Sequence, residues 1–166
     1  MNLRPERAGD RAAIRAILVA AFPTDAEARV VDRLWASGNA TLGMVAEAEG
    51  QVVGHILFSP VVVDGPQRRH GLGLAPLAVS PRQQKRGIGS LLIAAGLDAC
   101  RGKTPFVVVL GEPGYYARFG FTTAADVGLR NEYGATDEFM VLELREGGLP
   151  PAGGLVRYGS EFAEFT

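Results

Sequence analysis

Apolar positions along the chain change their spacing partway, and the change separates a helical stretch from a run of strands. From Asp10 to Ala21 they fall at Ile14, Ile17, Leu18 and Ala21, the three-and-four spacing of a helix with one buried face. Asp10 stands where a cap belongs, and Pro23 ends the run. Thr24-Asp25-Ala26-Glu27 has the form of a capping box; it opens a second helix through Val30, Val31, Leu34 and Trp35 that Gly38 closes. Beyond Thr41 the pattern becomes that of strands, over Thr41–Glu47 and Gln51–Val63 with Glu49-Gly50 as the turn, then from about His70 to Val79 after the Asp64-Gly65-Pro66 turn. A short strand over Asn2–Pro5 precedes the helices.

Leu74 to Ala95 is the segment around which the rest is arranged. An apolar strand, Leu77–Val79, is flanked by Pro76 and Pro81 and followed by Arg82-Gln83-Gln84-Lys85-Arg86 and Gly87-Ile88-Gly89-Ser90. A helix starts there, with Ile88, Leu91, Leu92 and Ala95 expected on its buried face. Pro76 has no N–H to give a ladder, so the pattern predicts a break there that splays the strand from its next neighbour. Phe106–Leu110 is a short buried strand, parallel to the Leu77 strand through a right-handed helical crossover. A short helix over Tyr115–Phe119, a strand from Phe121, another over Phe139–Leu144 and a small one at Leu155–Tyr158 complete the chain. The order predicts an α+β fold around a mixed sheet, in a single domain over residues 1–166.

Composition narrows the function. The 166 residues are 47% apolar and 21% charged, which is ordinary for a globular chain with a core. A net charge of −1 supplies no global field for nucleic acid or an anionic membrane, so the basic residues at Arg82, Lys85 and Arg86 form a local patch suited to a small anion. Cys100 is the only cysteine, which rules out an internal disulfide, and no metal-ligand cluster stands out. No apolar run reaches membrane-span length and the first residues lack a signal core, so a cytoplasmic protein without a membrane partner is expected.

Gln84 to Ser90 describes a phosphate cradle. Glycines let backbone N–H groups approach a ligand, and the first N–H groups of a helix lack intrahelical partners and sit at its positive end. A P-loop places its lysine after the glycines, whereas Lys85 comes before them. A dinucleotide turn needs a third glycine where Leu92 stands. Gln84-Lys85-Arg86-Gly87-Ile88-Gly89, preceded by Leu77-Ala78-Val79-x-Pro81, resembles the Gln/Arg-x-x-Gly-x-Gly/Ala pyrophosphate signature of the GNAT superfamily of acyl-CoA-dependent N-acetyltransferases. A second block, Gly111-Glu112-Pro113-Gly114-Tyr115-Tyr116-Ala117-Arg118-Phe119-Gly120-Phe121, is similar to the tyrosine-helix-Gly-Phe element after the family's fifth strand.

The resemblance implies a mostly antiparallel sheet flanked by helices and splayed between its fourth and fifth strands, with acetyl-CoA as co-substrate. It implies that main-chain groups of Leu77, Ala78 and Val79 pair with the pantetheine, and that Gln84, Lys85, Arg86, Gly87, Ile88, Gly89 and Ser90 hold the pyrophosphate. Tyr116, four residues before Gly120, takes the position of the general acid for the departing thiolate. Val109 stands where the family carries an asparagine, and neither the fourth nor the fifth strand has the carboxylate that many members use as a base. His70 and Glu112 are the candidate bases; His55 reads as a half-buried sheet residue, and Glu112 also suits a helix cap.

The expected activity is acetyl transfer to a primary amine by direct attack in a ternary complex, with a small-molecule amine as partner. The alternative is a non-catalytic acyl-CoA sensor or assembly module, and a further reading puts the amine on a protein or aminoacyl-tRNA. The segments expected to choose the amine, Pro23–Glu27, the hairpin after Val63 and Gly128–Asp137, carry no readable code. The apolar C-terminal strands are candidates for pairing two copies into a homodimer.

Overall fold

A computed structural model describes residues 1–165. Its elements are β1 (Asn2–Pro5), α1 (Arg11–Ala21), α2 (Ala26–Ser37), β2 (Leu42–Ala48), β3 (Gln51–Asp64), β4 (Arg69–Val79), α3 (Ile88–Cys100), β5 (Phe106–Leu110), α4 (Pro113–Ala117), β6 (Thr122–Thr123), β7 (Leu129–Asn131), β8 (Phe139–Glu143) and β9 (Gly154–Tyr158). Hydrogen-bonded pairing orders the strands β1-β2-β3-β4-β5-β8-β6, and β9 pairs with both β3 and β7. The sheet is mixed and mostly antiparallel, with parallel pairing between β4 and β5 and between β7 and β9. Contacts group the chain into two compact units, residues 1–58 with 76–99 and residues 59–75 with 100–166.

In the first unit β3 has two working faces, because successive side chains on a strand point to opposite sides. Gly54, Ile56 and Phe58 face α3: a Cβ on Gly54 would come within 2.9 Å of Leu92, and one on Gly96 within 2.6 Å of the Phe58 ring. Both glycines let the helix and strand backbones approach. The buried face of α3 is Ile88, Leu92, Ile93, Leu97 and Cys100, not the face expected from Leu91 and Ala95. Leu91 is 47% exposed. In a helix apolar nearly all round, spacing alone does not mark which stripe meets the sheet.

The other face of β3 carries His55, fully buried rather than half-buried. Its Nε2 lies 2.7 Å from Glu6 Oε1, and Trp35 Nε1–H donates to Glu6 Oε2 at 2.8 Å. Glu6 thereby ties the segment after β1 to α2 and β3. A side chain on Gly43 of β2 would overlap the Glu6 carboxylate.

Both expected caps differ. The Asp10 carboxylate makes no cap to α1; it accepts from the Arg7 N–H at 2.7 Å and from two Arg4 nitrogens at 2.8 and 2.9 Å. The Arg4 guanidinium, six residues away, outcompetes a neutral N–H, since charge-assisted bidentate bonds are the stronger ones. The Thr24–Glu27 box does not close either. Thr24 Oγ1 accepts from the Ala26 N–H at 3.3 Å, and Glu27 Oε1 is buried with no hydrogen-bond partner.

In the second unit β5 reads Phe-Val-Val-Val-Leu and is buried through Val109, as suits a strand covered on both faces. Its residues pack with Val61, Val63, Leu129, Phe139, Val141 and Val156. The parallel ladder between β4 and β5 covers only Leu72–Leu74 against Val107–Val109 and so ends two residues before Pro76. This is the parting expected of the fourth and fifth strands. The stretch Gly128–Asp137 is not plain loop: it contains β7, and the Asn131 carboxamide organises the turn after it by accepting from the Tyr133 and Ala135 N–H groups. Because β9 has partners on both sides, it offers no free edge to a second copy.

Candidate active site

The end of β4 and the turn after it are tied down by main-chain and amide bonds. Ser80 N–H donates to the Val53 carbonyl at 2.8 Å, and residues Pro81–Gln83 form a 3-10 turn closed by Gln83 N–H on the Ser80 carbonyl. The Gln84 side-chain amide then reaches back to the Val79 carbonyl at 3.0 Å. That carbonyl is therefore engaged. Ala78 is buried, while Leu77 and Val79 are half-buried.

Lys85 and Gly87 both take left-handed backbone angles, φ +63° and +82°. Gln84, Lys85, Arg86 and Gly87 are all exposed. At the start of α3 the Leu91 N–H bonds the Gly87 carbonyl at 3.1 Å. The N–H groups of the first helical turn thus stand at the positive end of a 13-residue helix, beside Lys85 and Arg86.

On α4, Tyr116 is 8% exposed. Its ring packs edge-on against Tyr115 at 5.2 Å and Phe121 at 5.7 Å, and a side chain on Gly111 would overlap it. Burial, with the neighbouring Tyr115 hydroxyl, pushes the Tyr116 phenol up to about 12. The hydroxyl is therefore a proton donor at neutral pH, and no described residue accepts from it. Glu112 caps α4, accepting from Gly114 N–H at 3.2 Å and Tyr115 N–H at 2.7 Å. With Glu112 capping and Pro113 in the first turn, the helix starts two residues earlier than expected.

His70 is exposed at the start of β4, at the opposite end of the strand from Leu77. No carboxylate stands on β4 between His70 and Val79 or on β5; between Asp64 and Glu112 the chain has Asp98 alone, exposed on α3. Among the described residues no group of three His, Cys, Asp or Glu side chains could hold a metal, and no helix is long and apolar enough to cross a membrane.

Sequence reasoning passed over Glu6 and Arg118. Glu6 lies outside every periodic segment, and only the fold brings it to His55 and Trp35. Arg118 had a signal: Tyr115, Arg118 and Phe119 are spaced i, i+3, i+4, which makes them neighbours on a helical surface.

A parted fourth and fifth strand, a glycine-bearing basic turn at a helix start and a tyrosine-bearing short helix are the parts of an acyl-CoA-dependent acetyltransferase. The family model described as "Acetyltransferase (GNAT) family" matches residues 11–121, and the chain belongs to that family. Over 168 aligned residues it is 40% identical to the uncharacterized N-acetyltransferase YhbS of Escherichia coli K12, covering 99% of this chain and all of the relative. The crystal structure of E. coli YhbS in complex with CoA superposes with a TM-score of 0.91 at 39% identity, covering 99% of this chain and 93% of that one. A GNAT family acetyltransferase from Brucella melitensis, in complex with acetyl-CoA, gives 0.81 at 37% identity, with 97% of each chain covered.

Proposed function

We propose that residues 1–166 act as one N-acetyltransferase domain that moves the acetyl group of acetyl-CoA to a primary amine, by direct attack in a ternary complex. The observation that carries this reading is the Gln84–Ser90 turn, with two left-handed residues and two cations at the start of α3. In that reading its N–H groups and charges hold the pyrophosphate. In it, main-chain groups of Leu77, Ala78 and Val79 align the pantetheine, and a backbone N–H of that segment stabilises the oxyanion that forms as the amine attacks. CoA bound to YhbS and acetyl-CoA bound to the Brucella acetyltransferase support the choice of co-substrate.

Chemistry sets two proton problems. A lysine-like amine must lose a proton to attack, which at pH 7 costs about 4–5 kcal/mol from a pKa near 10.4. Glu112 has both oxygens in its cap, which leaves His70, at the far end of β4 from Leu77, as the candidate base without such a role. On the other side of the reaction, the thiolate leaves. Moving a proton from a phenol at about 12 to a thiol with a pKa near 8.5 is uphill by about 5 kcal/mol. Tyr116 therefore works as a hydrogen-bond donor to the developing thiolate, not as a full acid in the ground state. That bond strengthens as charge grows on sulfur, which favours the transition state over the bound substrate.

The acceptor is a small-molecule amine and the setting cytoplasmic; a homodimer needs a surface other than β9. The lack of a carboxylate on β4 and β5 favours the second reading, a module that binds acyl-CoA without turning it over. Incubation with acetyl-CoA and a panel of amines, followed by thiol release and mass spectrometry of acetylated products, decides between them. Transfer to at least one amine is expected. Acetyl-CoA binding without release of CoA by any amine establishes the module, and failure to bind acetyl-CoA overturns both.

A further inference from the structure

One end of the second unit gathers cations without matching carboxylates. Three stretches meet there: residues 68–70 at the start of β4, 101–105 ahead of β5, and 143–148 at the close of β8. The β4–β5 register, Leu72 against Val107, sets the first residues of both strands side by side, and a Cβ on Gly71 would overlap the Phe106 ring. Phe106 pairs with Glu143 of β8, and the Leu144 N–H donates to the Pro105 carbonyl at 2.8 Å. Arg69 Nη1 closes the group by donating to the Gly147 carbonyl at 2.9 Å. The three stretches hold Arg68, Arg69, Arg101, Lys103 and Arg145 against Glu143 and Glu146.

These cations are not neutralised within the fold. Arg68, Lys103 and Arg145 are exposed and make no ion pair or side-chain hydrogen bond among the described residues. Arg4, Arg15, Arg29 and Arg157 each meet a carboxylate. Glu143 is engaged by the Leu149 N–H at 3.2 Å. The group is +3 in a chain of −1, so the rest of the protein carries −4. Like charges held together repel, and carboxylates from outside relieve that repulsion while the guanidinium forks orient them. We propose that this end of the second unit docks a short acidic segment of a partner protein, whose carboxylates meet Arg68, Lys103 and Arg145. Neighbouring strands lie about 4.8 Å apart, so the ends of β4, β5 and β8 span about 10 Å, the length of three or four extended residues. A long polyanion overruns that width onto a surface of net negative charge, and the three stretches hold no Phe, Tyr or Trp on which bases could stack. Both points favour a peptide over a nucleic acid. The inference does not depend on the acetyl-CoA reading.

The probe is a fluorescent hexaglutamate with blocked ends, titrated with the full chain at low salt and read by anisotropy. Hexaglutamate should bind at least about tenfold more tightly than hexaglutamine, and more tightly than a thymidine heptanucleotide of about the same charge; added salt should erode the binding. Arg68→Glu with Arg145→Glu should weaken it at least about tenfold. Arg7→Glu with Arg130→Glu makes the same change in net charge outside the three stretches and should leave it within about twofold. All four side chains are exposed, so both proteins should keep the wild-type circular dichroism. Were the first pair to unfold the chain, Lys103→Gln alone should still weaken the peptide about threefold. Equal binding of hexaglutamate and hexaglutamine, equal losses in the two double variants, or tighter binding of the oligonucleotide would overturn the assignment.

Discussion

Glu6→Ala is expected to be among the more destabilising changes that the first unit can suffer at a polar residue. The carboxylate accepts two hydrogen bonds, from His55 at 2.7 Å and Trp35 at 2.8 Å. An ionised carboxylate only accepts, so His55 Nε2 carries a proton toward it, while the buried Nδ1 has no hydrogen-bond partner. Truncation strands the Nε2–H in a fully buried site at about 1–3 kcal/mol, while the half-buried Trp35 N–H can find water and loses roughly 0.5–1.5 kcal/mol. The sum is about 3 kcal/mol, or roughly 6–12 °C in Tm for a chain of this size. Trp35 is the only tryptophan, so its emission in a urea titration reports on the cluster itself, with circular dichroism for the whole fold. Glu6→Gln should fall between, because an amide accepts one of the bonds and turns its own donor toward the other. Burial pushes the Glu6 carboxyl up, but the His55 and Trp35 bonds and the charge of Arg11 outweigh it and hold it below its usual value. Its contribution is therefore present at neutral pH and is lost as pH falls through the lowered value. A loss under about 0.5 kcal/mol in Glu6→Ala at pH 7 would refute the reasoning.

Two further outcomes follow from the same structure. Tyr116→Phe should lower kcat about 10–100-fold with the best amine and leave acetyl-CoA affinity nearly unchanged, since the lost bond is one to a charge that exists only in the transition state; Tyr115→Phe, which keeps the ring under Arg118, should be mild, and a wild-type kcat in Tyr116→Phe where chemistry limits turnover would leave Tyr116 a packing residue. Asp10 is held down to about 2, chiefly by its hydrogen bonds from Arg4, so it stabilises the fold above the ordinary aspartate range and loses that effect between about pH 4 and pH 2. Acid titrations followed by circular dichroism should show a shallower loss of stability over that window in Asp10→Asn; an unchanged slope would contradict the Arg4 pairing.

The elements that repeated a pattern were legible, and those fixed by one or two contacts were not. Alternation and turn residues located β2, β3 and β4 to within a residue or two, and Pro76 marked where the β4–β5 ladder fails. β7, three residues long, has too few positions to show a period and exists because β9 lies alongside it. Capping residues were read from local spacing alone. Asp10 went to Arg4, and the Thr24–Glu27 box stayed open, because tertiary partners competed for the same oxygens in the first case and Thr24 bonded Ala26 in the second. Of the candidate site, the Gln84–Ser90 turn and Tyr116 were visible as spacing, since that chemistry is local in sequence. The Gln84 bond to Val79, the Glu6 cluster and the stacking of Arg118 on Tyr115 depend on which side chains the fold brings together.

Calorimetry on Gly87 variants tests most directly whether the turn opening α3 holds the pyrophosphate of acetyl-CoA. Gly87 has φ +82° and open space where a Cβ would stand, so a side chain there strains the backbone by about 1–2 kcal/mol without a clash inside the protein. Gly87→Ala measures that strain and the bulk of one methyl group. Gly87→Glu adds a negative charge beside the phosphates, which at about 4 Å and a surface dielectric opposes them by roughly 1–4 kcal/mol per charge. Acetyl-CoA affinity should fall about 100-fold, near 3 kcal/mol, in Gly87→Glu and by much less in Gly87→Ala, with both chains folded by circular dichroism. A folded Gly87→Glu protein that binds acetyl-CoA as tightly as the wild type would contradict the claim.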